Sequence, residues 1–115
     1  MSLDELYQQG FQARCDGNYS FAKDIFEQIL RQDPTHANAK WQLGLVQCFE
    51  GDFDGSIATL QTVVNANPKH IKARYDLGMT QMMLGMQDEA CENFKLVLAQ
   101  DPDHEDAQRQ MVYCP

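Results

Sequence analysis

Positive charge is scarce in this chain. Nine Lys and Arg stand against 17 Asp and Glu, for a formal net charge of −8. Nucleic acid and anionic lipid surfaces call for clustered Lys and Arg, so neither is expected as a partner. The acidic residues are spread along the whole chain, as on a solubilising surface. No apolar run approaches the roughly 18–20 residues that span a bilayer, so no membrane insertion is expected. The opening "MSLDELYQQG" is acidic and amphipathic and does not read as a secretory signal, which points to the cytoplasm. The four cysteines, Cys15, Cys48, Cys91 and Cys114, form no C-x-x-C pair, and no Cys/His spacing fits zinc. With 43% hydrophobic residues the chain has no need of a disulfide scaffold. Free, mostly buried thiols are expected, with Cys15 and Cys48 at near-equivalent sites. Catalytic patterns are missing too. There is no Ser/His/Asp or Cys/His arrangement and no Gly-rich phosphate loop, so neither enzyme activity nor a cofactor is expected. The carboxylates Asp88, Glu89 and Glu92 read as a helix N-terminus that complements the helix dipole.

What the chain does have is a period. Pro34, Pro68 and Pro102 are 34 residues apart, and so are the only histidines, His36, His70 and His104. A self-shift of 34 also aligns Gly10 with Gly44 and Gly78, and Gly17 with Gly51 and Gly85. Tyr7, Trp41 and Tyr75 form an aromatic column. Ala22, Ser56 and Ala90 are small, and Phe26, Leu60 and Phe94 are large and apolar. Agreement of many columns at one shift is the signature of a repeat architecture.

Each period reads as two helices. In "DFDGSIATLQTVVNANP", Ile57, Leu60, Val63 and Val64 make an apolar stripe at helical spacing, and the Pro ends it. The pattern predicts helices over 3–16, 20–32, 37–49, 54–66, 71–84, 88–100 and 105–113. Ser2 with Glu5 predicts a capping box. Gly10, Gly44 and Gly78 fall inside helices, where each costs about 1 kcal/mol relative to Ala. Close helix approach is the expected reason, with the glycine facing the small residue at 22, 56 or 90. Gly17, Gly51 and Gly85 stand where a helix ends and the chain reverses. The histidines follow a helix-breaking Pro and precede a helix, a place for turn and capping residues. Equivalent positions on stacked helices lie about 8–10 Å apart, too far to share a zinc ion held at about 2.0–2.1 Å.

These columns resemble the tetratricopeptide repeat (TPR) family, whose 34-residue pattern is roughly W-x2-L-G-x2-Y, then G, A-x3-F and P. Repeat two carries "WQLG" and "GDF", repeat three "YDLG" and "EACENF", and repeat one "QQG", "DGNY" and "FAKDIF". Trp41 and Tyr75 stand one place later than the motif's Trp, and Ser56 replaces the usual Ala. The resemblance implies an all-α solenoid, the TPR superhelix, of three antiparallel helix pairs (about 3–36, 37–70 and 71–104) plus a capping helix (about 105–113). On that reading residues 1–115 form a single domain.

By the same resemblance, the first helix of each pair lines a concave groove. That places Tyr7, Trp41 and Tyr75 in the groove, then Phe11, Leu45 and Met79, and toward the helix ends Phe49 and Met82. Gln42 and Lys72 are polar contributors. The implied groove is apolar and aromatic, suited to an apolar peptide or helix, with Trp41 at its centre. One TPR subclass grips the C-terminal carboxylate of heat-shock chaperones. Its binding positions correspond here to Tyr7, Phe11, Gln42, Lys72 and Asp76. Only Lys72 agrees, and Asp76 repels a carboxylate, so that mode is not expected. Met79, Met82, Met83 and Met86 share one helix face and read as core or groove wall before they read as a Cu(I) site. The expected function is a protein-interaction adaptor that binds a protein or peptide ligand. The alternatives are self-association into a homo-oligomer through the same face, and a chaperone-like carrier of a secreted partner.

Overall fold

The computed structural model describes residues 1–115 and is all-α. Seven helices follow one another: α1 (Leu3–Cys15), α2 (Tyr19–Gln32), α3 (Ala37–Phe49), α4 (Phe53–Ala66), α5 (Ile71–Met83), α6 (Gln87–Gln100) and α7 (Glu105–Gln110), with a 3-10 turn over Met111–Tyr113. The fold class expected from the repeat, an all-α solenoid of helix pairs, is the one observed. No helix is long and apolar enough to cross a membrane. The chain divides into two compact units, Met1–Thr59 and Leu60–Pro115, with the division inside α4.

Local chemistry explains the helix ends. Ser2 and Glu5 form the expected capping box: Glu5 N–H donates to Ser2 Oγ at 3.1 Å, and Ser2 N–H donates to Glu5 Oε1 at 3.3 Å. The histidines are N-caps. Nδ1 of His36, His70 and His104 accepts from the N–H of Ala39, Ala73 and Ala107 at 3.0, 3.1 and 3.0 Å. Each imidazole therefore satisfies a backbone donor that the helix leaves open. Asn18 and Asp52 do the same for α2 and α4 through their side-chain oxygens. Helix α6 has no side-chain cap, and Asp88 and Glu89 in its first turn offset the dipole. Gly17, which follows α1, has φ +80°, and Gly51 and Gly85 match it at +87° and +77°. A side chain at that φ costs about 1–2 kcal/mol, so the reversal after the first helix of each pair selects glycine.

The helix-interior glycines admit close approach, as expected, but at Gly10 and Gly78 the partner is not the expected one. A Cβ on Gly10 would lie 2.7 and 2.8 Å from the Phe26 ring, and one on Gly78 would lie 2.8 Å from the Phe94 ring. The partner is thus the large aromatic of the second helix, not the small residue at 22 or 90. The ring needs the space because Phe26 and Phe94 are fully buried and cannot swing outward. In the second repeat the small residue does meet the glycine, since Ser56 Oγ donates to the Gly44 carbonyl at 2.8 Å.

In the first unit Leu6, Ala13, Ala22, Ile25, Phe26, Ile29, Ala39 and Val46 form the core, with Tyr7, Tyr19 and Leu43 packed on it. In the second, Leu60, Val63, Val64, Leu77, Phe94 and Val97 are buried.

Cysteine chemistry departs from expectation. Cys91 and Cys114 are joined in a disulfide, with Cα atoms 5.8 Å apart, and the free Cys15 is exposed. The terminal segment turns back onto α6. There Gln87 Nε2 also donates to the Tyr113 carbonyl, and Cys114 meets a buried Cys91. The same return ends α7 as an α-helix at Gln110 rather than at 113. The expectation of four free, mostly buried thiols is therefore corrected.

Candidate functional site: an aromatic and arginine face on α1 and α3

Helix α1 carries a single basic residue, Arg14, in its last turn, where a cation is favoured by the helix dipole. One turn earlier stands Phe11, and the Arg14 guanidinium carbon lies 5.1 Å from the centre of its ring. At the end of α3 stands Phe49, whose ring centre is 5.9 Å from the same carbon. Both distances are within reach of cation–π attraction. Phe49 in turn stacks on Tyr19 at the start of α2, with ring centres 5.5 Å apart and planes 22° apart. Phe11 is 38% exposed and Phe49 51% exposed. Two large aromatics thus face solvent around one cation.

Beneath them runs a polar chain. Arg14 Nε–H donates to Gln42 Oε1 at 2.7 Å, and Gln42 Nε2–H donates to the Tyr7 hydroxyl oxygen at 3.1 Å. Gln42 is fully buried, so its amide has no water to fall back on. The Tyr7 ring packs against Phe26 at 5.9 Å and stacks on His36 at 5.9 Å.

The residues expected to line a groove separate into groups. Phe11 and Phe49 are exposed and share Arg14. Tyr7 is partly buried and bonded to Gln42. Gln42 is corrected: at 0% exposure it presents nothing to a ligand and serves as the buried link between Tyr7 and Arg14. Trp41 and Leu45 on α3 are partly buried, as are Tyr75, Met79 and Met82 on α5, whereas Lys72 is exposed. Arg14 and Tyr19 were missed. Arg14's repeat equivalents are Cys48 and Met82, so the column signals no charge. The available clue was a lone cation three residues after Phe11.

In the second unit Tyr75 packs on Phe94 at 5.8 Å and on His104 at 5.1 Å. Burial raises its phenol pKa above the ordinary value, Asp76 adds to the rise, and Arg109 opposes it. Arg74 Nη1–H donates to Asn93 Oδ1 at 3.2 Å, and Asn93 Nδ2–H donates to Gln81 Oε1 at 2.7 Å. A shallow depression of about 380 Å³ is lined by Gln61, Gln81, Asp88, Glu89, Glu92 and Asn93. No group of three or more His, Cys, Asp or Glu side chains is placed to hold a metal ion.

No curated protein sequence matches the chain. Solved structures match it closely in shape. The first TPR domain of Spaghetti (RPAP3), bound to the HSP90 peptide SRMEEVD, superposes with a TM-score of 0.91 at 19% identity, covering 96% of this chain and 88% of that one. The TPR domain of Arabidopsis OM64 gives 0.91 at 14% identity, covering 96% and 92%. MamA gives 0.88 at 22% identity, and this chain, 96% covered, spans 64% of its length. At these identities the likeness establishes the fold. A family model described as "Tetratricopeptide repeat" matches residues 49–112, more than half of the sequence. With its 34-residue period, its helix pairs and this match, the chain belongs to the tetratricopeptide repeat family, a family of protein-interaction modules.

Proposed function

We propose that this chain is a protein-interaction module that binds an apolar or aromatic segment of a partner protein, with the α1/α3 face as its principal contact. The observation that carries the reading is the pair of exposed rings, Phe11 and Phe49, whose centres lie 5.1 and 5.9 Å from the Arg14 guanidinium carbon. Exposed aromatics grouped around an arginine have the composition of an interface hot spot. They are held in place before any partner arrives, by Tyr19 stacking and by the Gln42 hydrogen bond, which lowers the ordering cost of binding. A solved TPR domain of the same fold holds a peptide, which supports a peptide-sized ligand here. Trp41, on the first helix of the second repeat, extends the apolar set in this reading.

The test is selection of peptides from a displayed library by the wild-type chain and by a Phe11→Ser/Phe49→Ser double variant. Peptides with apolar or aromatic anchors should be enriched by the wild type. They should bind the double variant about tenfold more weakly or worse, with the thermal melt preserved because both side chains are exposed. If nothing is enriched and sedimentation shows a dimer that the same substitutions dissolve, the face pairs with a second copy and the peptide reading is wrong.

A further inference from the structure

The direction of the hydrogen bonds through Gln42 determines more than the stability of the face. Arg14 can only donate, so the amide oxygen of Gln42 must point at it. The amide nitrogen then points at Tyr7 and donates, which makes the Tyr7 oxygen the acceptor. The Tyr7 O–H hydrogen is therefore left without a partner in the chain. So are both Nη groups of Arg14, whose interactions are the Nε bond and the two ring contacts. Arg14 takes part in no ion pair, since its contacts are the Gln42 bond and the two rings, so no carboxylate of the chain neutralises it. Four guanidinium N–H donors and one phenolic O–H donor are thus anchored to a single buried amide, with two exposed phenylalanines close to the guanidinium.

We propose that the partner segment carries a side-chain carboxylate, Asp or Glu, next to its apolar anchor. Arg14 takes that carboxylate through its Nη edge, and the Tyr7 hydroxyl donates to it as a second contact. The proposal rests on the peptide-binding reading above and specifies its ligand. Charge and geometry both select a carboxylate, since the guanidinium fork matches its two oxygens. The two rings near the guanidinium come from different helices, α1 and α3, and a segment that runs past Arg14 can cover both, which favours an internal residue over a chain terminus. The net charge of −8 opposes an acidic partner at long range. The favourable contact is therefore local, strengthened by the rings that displace water around the guanidinium.

The experiment uses synthetic peptides with an apolar-x-x-apolar frame, capped at both ends, with Glu, Gln or Lys at the internal positions, and a fourth set with Gln inside and a free C-terminal carboxylate. Affinities are read by anisotropy. The wild type should prefer the Glu peptide over the Gln peptide by about tenfold, the scale of one charge-assisted hydrogen-bonded contact, and should reject Lys. Arg14→Gln should abolish the Glu/Gln preference while keeping affinity for the Gln peptide. Tyr7→Phe should reduce the preference by a smaller factor. Equal binding of the Glu and Gln peptides by the wild type overturns the proposal and leaves the peptide-binding reading intact. Preference for the free C-terminal carboxylate over internal Glu also overturns it. Failure of every peptide to bind removes the peptide-binding reading itself. The wild-type comparison decides the matter even if a variant folds poorly.

Discussion

The two units begin their helix pairs with the same parts and put them to different uses. In each, a glycine inside the first helix admits a buried phenylalanine, Phe26 against Gly10 and Phe94 against Gly78. In each, a tyrosine packs on that phenylalanine and on the histidine that caps the next helix, Tyr7 with His36 and Tyr75 with His104. The difference lies in what meets the tyrosine and its helix. Tyr7 touches a buried neutral amide, and its helix ends in Arg14 close to two exposed rings. Tyr75 has Asp76 beside it, its helix ends in methionines, and its unit is closed by a disulfide. The comparison teaches that the repeat skeleton is one layer of the sequence and the recognition chemistry another. The skeleton sits at columns that must match for helices to pack. The chemistry sits at columns that packing leaves open.

If the skeleton is shared, removing its central ring should cost the same in both units. Phe26→Ala and Phe94→Ala are each expected to destabilise the protein by about 3–5 kcal/mol, measured by urea unfolding. A loss confined to one unit would break the equivalence.

The disulfide should separate the units. Reduction by dithiothreitol, or Cys114→Ser, removes a link between residues 23 apart in sequence and should cost about 3 kcal/mol. Hydrogen exchange should show α7 and the 3-10 turn losing protection while α1–α3 keep theirs. Equal loss in both regions would show that the crosslink is not local to the second unit.

The smallest expected effect concerns pH. Burial holds the His70 imidazole below its ordinary pKa, and Lys72 lowers it further, while a backbone hydrogen bond partly offsets both. The folded state therefore binds fewer protons than the unfolded chain. The stability involved is present above the unfolded value of about 6.5 and is lost as pH falls through the folded value. Protonation also removes the acceptor that caps α5. The Tm should fall modestly between pH 7 and pH 5. His70→Asn, which keeps a capping acceptor without titrating, should flatten that dependence. An unchanged slope in His70→Asn would assign the pH dependence to other groups.

The helix boundaries were legible because they rest on local chemistry. Every predicted helix lies within one residue of the observed one at each end, apart from the last turn of α7. Proline, the cap residues and the glycines after α1, α3 and α5 act on the backbone within a turn of themselves, so their meaning is carried by spacing alone. The partner of Gly10 was misassigned because a 34-residue period shows that two columns repeat in size, not which of them touch. The candidate face was half legible. Phe11 and Phe49 followed from their place on the first helices of their pairs, but Arg14 did not, since nothing in its column is charged. Gln42 was placed in the groove because the family resemblance puts its position on the first helix of the second pair there. Its burial depends on having Tyr7 and Arg14 from another helix at its two ends.

The sequence by itself determined that this is a chain of repeated helix pairs, where each pair starts, where it turns, and that its three histidines mark the register. Only the tertiary structure decided that Cys91 meets Cys114, that Gln42 is a buried link, and that Arg14 stands near two exposed rings with its Nη groups unclaimed by the chain. The reason is physical. Helix starts and stops are contests between neighbouring residues for backbone hydrogen bonds, whereas the disulfide and the two Gln42 bonds join residues 23 to 35 positions apart, and only packing can say which of the many such pairs are brought together.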